Sequence, residues 1–150
     1  MNVLYPAKIS KESDGRYFVK FLDFSEAFTE GETFEEALFN ASEVLTLTLE
    51  GRMEEKIKIP TPSKKSQGTY LISPSARVQS AILLQLARKG HSKASLARAL
   101  GTSWPSIQRL ENPKHWTSLK QLEKVAAALG KQVRIDLVER DREGGRTAVR

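Results

Sequence analysis

Alternating apolar and polar residues open the chain, and this period of two predicts β-strands. Over residues 3–9, and again over residues 17–22, every second position is apolar, so each run presents one apolar face. Residues 13–15 between them form a turn sequence, because Gly tolerates positive φ and Asp can bond its own backbone. A short extended stretch follows over residues 27–29. The pattern predicts a β-hairpin and a third strand.

The hydrophobic period then changes to that of a helix. Thr33 is the predicted N-cap, and Glu36 is predicted to close a capping box by returning to the Thr33 amide. Gly51 is predicted to end the helix, and residues 56–59 are predicted to form a returning strand. The order β-β-β-α-β describes a small sheet with one helix on it. The apolar stripe of the helix contains Phe34, Ala37, Leu38, Ala41, Val44, Leu45 and Leu49.

Short helices are predicted for the second half of the chain. A polar linker over residues 62–68 leads into it, and residues 70–72 are predicted as one last strand of the first module. Ser73 and Pro74 are predicted to open a helix with Pro in its first turn, where no amide hydrogen bond is lost. Gly90 would end this helix. Its apolar stripe contains Val78, Ile82, Leu83 and Leu86.

Three more helices follow, at residues 92–100, 102–110 and 118–129, and then residues 132–138 alternate again. That strand has no local partner, so pairing with its copy on a second chain would satisfy its backbone groups. The predicted fold class is therefore α+β. A small sheet with a helix covers residues 1–73, with a linker around residues 62–69. An all-helical domain ending in a β-strand covers residues 74–138, and a charged, disordered tail covers residues 139–150.

Charge distinguishes the two halves. The net charge of +6 conceals 7 Lys and Arg against 12 Asp and Glu in residues 1–62, and 17 against 6 in residues 63–150. A basic half attracts a polyanion such as nucleic acid, whereas an acidic half suits a basic protein. The absence of cysteine excludes disulfides and thiolate metal sites. With no leader pattern and no apolar run of about 18 residues, a cytoplasmic protein without membrane contact is expected.

The acidic half resembles a known family. Residues 23–37 read DFSEAFTEGETFEEA, and this run is similar to the N-terminal pattern of the HicB antitoxins, as are residues 17–19 and 59–63. Many members have Pro where this chain has Ser25, so the loop before the third strand is expected to differ. The resemblance implies a partial ribonuclease-H-like domain that binds a HicA-like toxin, a small basic ribonuclease that cleaves mRNA.

A ribonuclease-H-like domain raises the question of catalysis. Such a nuclease would need several carboxylates converging on two Mg²⁺ ions. The candidates Asp14, Asp23 and Glu26 fall in a turn and a loop, the predicted strands carry no acidic residue, and no histidine precedes His91. The chain is therefore predicted not to be an enzyme, with no catalytic residue, no metal and no cofactor.

The basic half carries the more specific pattern. Residues 96–110 resemble the helix-turn-helix of the Cro and lambda-repressor family. Ala97 is small where the second helix crosses the first, and Gly101 supplies the left-handed turn between them. A purely structural helical hairpin is the alternative, but the register of five core positions and the basic surroundings favour DNA binding. The side chains expected to fill the core are Leu96, Leu100, Ile107 and Leu110.

The resemblance implies that the second helix, the recognition helix, enters the major groove. Gln108 is predicted to bond adenine and Arg109 guanine, whereas Trp104 is predicted either to pack or to contact a thymine methyl. His115 and Ser118, in the loop after the motif, are phosphate candidates. The predicted DNA-binding residues are Lys93, Ser103, Trp104, Ser106, Gln108, Arg109, Lys114 and Thr117.

Together these patterns predict an antitoxin of a type II toxin–antitoxin system. It would sequester a HicA-like toxin and repress its own operon by binding double-stranded operator DNA, as a dimer or higher assembly through residues 132–138. The leading alternative is a stand-alone repressor whose N-terminal domain binds another protein or a small ligand. A metal-dependent nuclease is a second alternative, which divalent-metal-dependent cleavage would identify. A neighbouring gene for a smaller basic protein would separate the first two.

Overall fold

A computed structural model of the chain describes residues 2–144 and divides into two compact units. One unit contains Val3–Ser75 with the C-terminal segment that begins at Leu137, and the other contains Ala76–Asp136. The first is built from strands and one helix and the second from helices, so the predicted α+β class is confirmed. None of the helices in residues 2–144 is long and apolar enough to cross a membrane.

An antiparallel sheet of four strands forms the first unit, in the order β3-β2-β1-β4. The predicted hairpin is present, with Ile9 opposite Val19. Gly31, at the end of β3, is buried against the backbone of the following helix, where a Cβ atom would lie 2.5 Å from the Ala37 nitrogen. The strands are β1 (Tyr5–Lys11), β2 (Tyr17–Phe21), β3 (Phe28–Gly31) and β4 (Thr69–Ile72).

Helix α1 (Phe34–Glu54) contacts β2, β3 and β4 and supplies much of the core of this unit. The Thr33 hydroxyl accepts a hydrogen bond from the Glu36 amide, as predicted, but the Glu36 carboxylate accepts from the amide of Glu32 rather than of Thr33. The predicted end at Gly51 is wrong, because an isolated Gly is tolerated within a helix. The helix continues to Glu54, and Lys56, two residues later, has a positive φ of 56°.

The predicted strand over residues 56–59 is wrong, and the fourth strand is the later stretch β4, antiparallel to β1. The chain between α1 and β4 is instead fixed by side chains. Tyr5 donates to the Pro60 carbonyl at 2.7 Å, and Ser63 donates to the carboxylate of Asp23 through its amide and its hydroxyl. Residues 62–69 therefore lie inside the first unit rather than between the two.

Four helices make up the second unit. Helix α2 begins after Pro74, so the prediction that this residue lies in the first helical turn is wrong. Leu86, predicted to be buried, is 49% exposed, whereas Ala81 and Leu84 are buried beside the predicted Val78 and Ile82. The helices are α2 (Ala76–Arg88), α3 (Lys93–Leu100), α4 (Trp104–Leu110) and α5 (Leu119–Ala128).

Residues 131–142 have no regular secondary structure, so the strand predicted over residues 132–138 is absent from the single chain. Its side chains are exposed, 61% for Ile135 and 100% for Leu137. A strand needs a partner edge, and the helical unit that precedes this segment offers none. Of the tail predicted to be disordered, residues 145–150 lie outside the described residues. In the described part of the same tail, Glu143 accepts a hydrogen bond of 2.7 Å from the Tyr17 hydroxyl. This hydrogen bond raises the pKa of Tyr17.

Candidate nucleic-acid interface

Local hydrogen bonds set the angle between α3 and α4. The hydroxyl of Ser92 accepts from the Ser95 amide and begins α3. Gly101 ends it in the left-handed conformation, with φ of 63° and ψ of 34°, and the next amide, of Thr102, bonds back to the Ala97 carbonyl at 2.9 Å. Ser103 then caps α4. The turn chemistry predicted for Gly101 is confirmed.

A shared core holds these helices together. Leu84 of α2 and Val125 of α5 pack with the residues of the motif, so the two motif helices are supported from both sides. Leu100 is partly buried against this cluster. The core positions predicted from the helix-turn-helix pattern are confirmed. The buried motif residues are Leu96, Ala97, Ile107 and Leu110.

Helix α4 presents its other face to solvent. Gln108 and Arg109 are exposed, and Trp104 is 48% exposed. The Ser103 hydroxyl caps the helix by accepting the Ser106 amide, and it also shares a hydrogen bond of 2.9 Å with the Ser106 hydroxyl, so both hydroxyl groups have a partner. The structure thus brings five predicted residues onto one helix, two of them with their polar groups already used.

Lys93 at the start of α3 is held against α4. Its ammonium lies 3.8 Å from Oε2 of Glu111 and 5.4 Å from the centre of the Trp104 ring. Glu111 is itself buried, and its other carboxylate oxygen accepts from Arg88. A cation close to an aromatic face is attracted by the ring quadrupole. Lys93 and Trp104 are therefore positioned as a pair.

The loop between α4 and α5 contains the predicted phosphate contacts. Lys114 is exposed, and its amide donates to the Asn112 side chain. Ser118 caps α5 in a full capping box with Gln121, so its hydroxyl is already used. The Thr117 hydroxyl is buried and has no hydrogen-bond partner in the described part of the chain. Of these three residues, Ser118 caps a helix, Thr117 has a buried hydroxyl, and Lys114 has an exposed side chain.

Trp116 in the same loop was not selected from the sequence. It is 70% exposed, and the Arg77 guanidinium lies 5.7 Å from its ring centre. Arg77 also donates to the carbonyl of Pro113, which ties α2 to this loop. The sequence feature that could have identified Trp116 is its large aromatic side chain in an otherwise polar loop beside the motif.

The acidic candidates of the first unit serve structural partners. The Asp14 carboxylate accepts the Arg16 amide, and Asp23 binds Ser63. Glu26 accepts from Arg52 at 2.6 Å, and this hydrogen bond lowers the pKa of Glu26. Within residues 2–144 there is no group of three or more acidic or histidine side chains arranged to hold a metal ion.

Comparisons with known proteins match both halves of the chain. Residues 4–81 match the model of the HicB-like antitoxin of bacterial toxin–antitoxin systems, and residues 83–135 match a helix-turn-helix model. Antitoxin HicB 2 of Photorhabdus laumondii is 34% identical over 134 residues, which cover 89% of this chain and 96% of the relative. Antitoxin HicB of Escherichia coli strain K12 is 32% identical over 136 residues, covering 89% and 99%.

Both matches agree with the structure, since the first covers the sheet and α1 and the second covers α3 to α5. The similarity to the two antitoxins runs through both units rather than through the helix-turn-helix alone. The chain belongs to the HicB-like antitoxin family of bacterial toxin–antitoxin systems and carries a DNA-binding helix-turn-helix domain in its second half.

Proposed function

We propose that this antitoxin neutralises a HicA-like mRNA-cleaving toxin with its first unit and represses its own operon with its second. The observation that carries the proposal is the union, in one chain, of an antitoxin-type sheet domain and a helix-turn-helix with an exposed recognition face. The opposite charges of the two halves support the same division, because a basic toxin and a polyanion need surfaces of opposite sign.

Helix α1 offers the surface on which a basic toxin would bind. Phe39 and Leu47 are 56% and 65% exposed, two turns apart on its solvent side. The exposed carboxylates of Glu36 and Glu43 accompany them. Apolar anchors within an acidic rim suit a partner with apolar residues surrounded by lysine and arginine. No catalytic role is proposed for this unit.

The two functions are expected to separate at Ser75. The amide of Ser75 donates to Thr46 of α1, and the Ser42 hydroxyl donates to the Ser73 carbonyl, so the first unit extends to this residue. A chain ending at Ser75 that keeps its circular-dichroism spectrum should neutralise the toxin in an RNA-cleavage assay without shifting operator DNA. If this folded chain leaves the toxin active, the proposed division of labour is wrong.

Variants of the full chain test the surface itself. Phe39→Arg and Leu47→Arg should weaken toxin binding, because each places a cation where a basic partner would approach. Leu86→Arg is the matched control, since Leu86 is 49% exposed on α2 in the other unit. If calorimetry shows that all three variants bind the toxin equally well, α1 is not part of the toxin-binding surface.

Dimerisation through residues 132–138 completes the proposal. A single recognition helix reads only a few base pairs, and two such modules on a palindrome add their contacts, with half-sites about 34 Å apart or a multiple of that. Ile135 and Leu137 are exposed and, with Val133, would share one apolar face of a strand, which offers a contact for the same segment of a second chain. Pairing would supply the partner edge that the single chain lacks.

A further inference from the structure

A cavity of about 210 Å³ lies between α4 and α5, on the flank of the recognition helix. Its floor is apolar, formed by core residues such as Ile107 and Val125. Its polar lining contains two cations and no acidic residue, and neither cation forms an ion pair with another residue of 2–144. The polar lining residues are Thr102, Ser106, Arg109, His115, Gln121 and Lys124.

His115 provides a second, independent observation. Its Nε2 atom is buried and has no hydrogen-bond partner in the part of the chain that the structure describes. A buried polar atom without a partner destabilises the folded state, so nearly all such atoms in native proteins have a hydrogen-bond partner. The imidazole lines the cavity together with Arg109 and Lys124, the two cationic residues of its lining. A group that entered the cavity and accepted hydrogen bonds would satisfy this nitrogen and both cations at once.

We propose that this cavity, between Arg109, His115 and Lys124, binds a phosphate group. Phosphate has the negative charge that two unpaired cations require and several oxygens that can accept from imidazole, amide and hydroxyl groups at once. The source that the geometry favours is a DNA backbone phosphate. A recognition helix in the major groove is bordered by the sugar–phosphate strands, and this cavity is lined by α5 as well as by α4. Free inorganic phosphate shares this chemistry.

This assignment changes the role of Arg109 and adds Lys124 to the interface. Arg109 was predicted from the sequence to read guanine, whereas a phosphate bound in this cavity would use its charge on the DNA backbone, where contacts position the protein without specifying a base. Lys124 is one turn from Gln121 on α5, outside the helix-turn-helix motif, which is why the motif alone did not select it. The DNA source rests on the operator binding proposed above.

The first experiment measures operator and random DNA binding by the full chain over a series of salt concentrations. Lys124→Gln should reduce the slope of log K against log salt by about 0.9 on both DNAs, the value for one lost phosphate contact. Lys131→Gln is the charge-matched control, because Lys131 is exposed and outside the cavity lining. An operator series with single methylphosphonate groups should contain one position that weakens the wild type but not Lys124→Gln.

The second experiment uses no DNA. Inorganic phosphate is titrated into the full chain at constant ionic strength while the imidazole NMR signals of both histidines are followed. A saturable shift of His115, absent in Lys124→Gln and absent from the exposed His91, would show that the cavity takes free phosphate. Coupling to one methylphosphonate position would show that it takes a DNA phosphate. If neither the His115 shift nor the coupling to a methylphosphonate position is seen, the proposal of a phosphate site is overturned. A wild type that binds no operator would instead contradict only the proposed operator repression.

Discussion

Arg88 of α2 donates from Nε to Oε1 of Glu111, directly after the recognition helix, at 2.5 Å. Only 6% of the Glu111 side chain is exposed, against 21% for Arg88. The pair ties the end of α4 to α2, and the other oxygen of Glu111 lies near Lys93. One buried carboxylate thus orients the C-terminal end of the recognition helix and a cation that was predicted to contact DNA.

Glu111→Gln should lower the free energy of unfolding of the helical unit by about 3 kcal/mol, because Arg88 would remain partly buried without a counter-charge. Trp104 and Trp116, the two tryptophans of the chain, lie in this unit, so urea unfolding followed by tryptophan fluorescence reports on it. Glu123→Gln, an exposed control on α5, should change stability by less than about 0.5 kcal/mol. If Glu111→Gln lowers the free energy of unfolding no more than Glu123→Gln does, the ion pair contributes little to stability.

Gly31→Ala should destabilise the first unit by about 1–3 kcal/mol, because the new methyl group would lie 2.5 Å from the Ala37 nitrogen and 2.8 Å from its Cα. These are backbone atoms of α1, which cannot move aside as a flexible side chain can. Gly51→Ala is the matched control. Gly51 lies within α1 with no atom within 4 Å of an added Cβ, so this change should stabilise by about 0.5–1 kcal/mol. Hydrogen exchange of the strand amides measures both changes, since exchange should become faster in Gly31→Ala and slower in Gly51→Ala.

Alkaline pH should weaken the first unit through Tyr5. Burial, and then the nearby charge of Asp23, raise the pKa of Tyr5 from 10.0 to about 12, and its hydroxyl donates to Pro60. Because the folded pKa is the higher one, the stabilisation is complete below pH 10 and is lost as the pH rises from 10 through about 12. Tyr5→Phe should reduce this pH dependence and remove the step near pH 12 from the tyrosinate absorbance titration. An unchanged titration would contradict the assignment.

Gln108→Ala should reduce operator discrimination while leaving non-specific binding nearly intact. A bidentate contact to adenine is worth about 1–3 kcal/mol, and the exposed Gln108 is free of any capping role. Lys114→Ala should instead weaken all sequences alike and reduce the salt slope by about one. Anisotropy titrations on operator and random duplexes measure both. If Gln108→Ala loses the same affinity for operator and for random duplex, Gln108 contacts the DNA backbone or has a structural role and does not read a base.

Ile135→Pro should abolish dimerisation without unfolding the helices. Proline deletes a backbone donor in the centre of residues 132–138 and is not accommodated within a paired strand. Light scattering should give a monomer with unchanged helical circular dichroism and most operator affinity lost. Arg142→Pro, beyond the segment, is the control. A wild type that is monomeric while it saturates its operator would contradict the dimer itself.

Features that depend on three or four neighbouring residues were predictable from the sequence. The caps at Thr33, Ser92 and Ser118 and the turn at Gly101 are local hydrogen-bonding and φ preferences, and each is present. The helix-turn-helix core followed from the helical period for the same reason. Even here, the Glu36 carboxylate accepts from the amide of Glu32 and not from the predicted amide of Thr33, because the two adjacent amides compete for one carboxylate.

Features that depend on distant residues were predicted less well: the strand over residues 70–72 is present as β4, but the strand predicted over residues 56–59 is absent. Two apolar stretches compete for the last strand position, and β4 takes it because Tyr70 contacts Phe34 of α1 at 5.2 Å between ring centres while Ile72 pairs opposite Tyr5. Neither contact is visible in the local pattern. The burial of Glu111, and with it the position of Lys93, likewise depends on α2, about 20 residues earlier in the chain.

Because the last strand ends at Ile72 and the hydrogen bonds to α1 end at Ser75, the four strands and the helix of the first unit are all encoded before the helical unit. At about 5–20 residues per second, the ribosome needs roughly 4–15 s more to make the second half. A nascent chain can therefore fold the unit proposed to capture the toxin while its operator-binding half does not yet exist. Each molecule would become protective to the cell seconds before it becomes a regulator, and a ribosome stalled in the second half would still deliver protection.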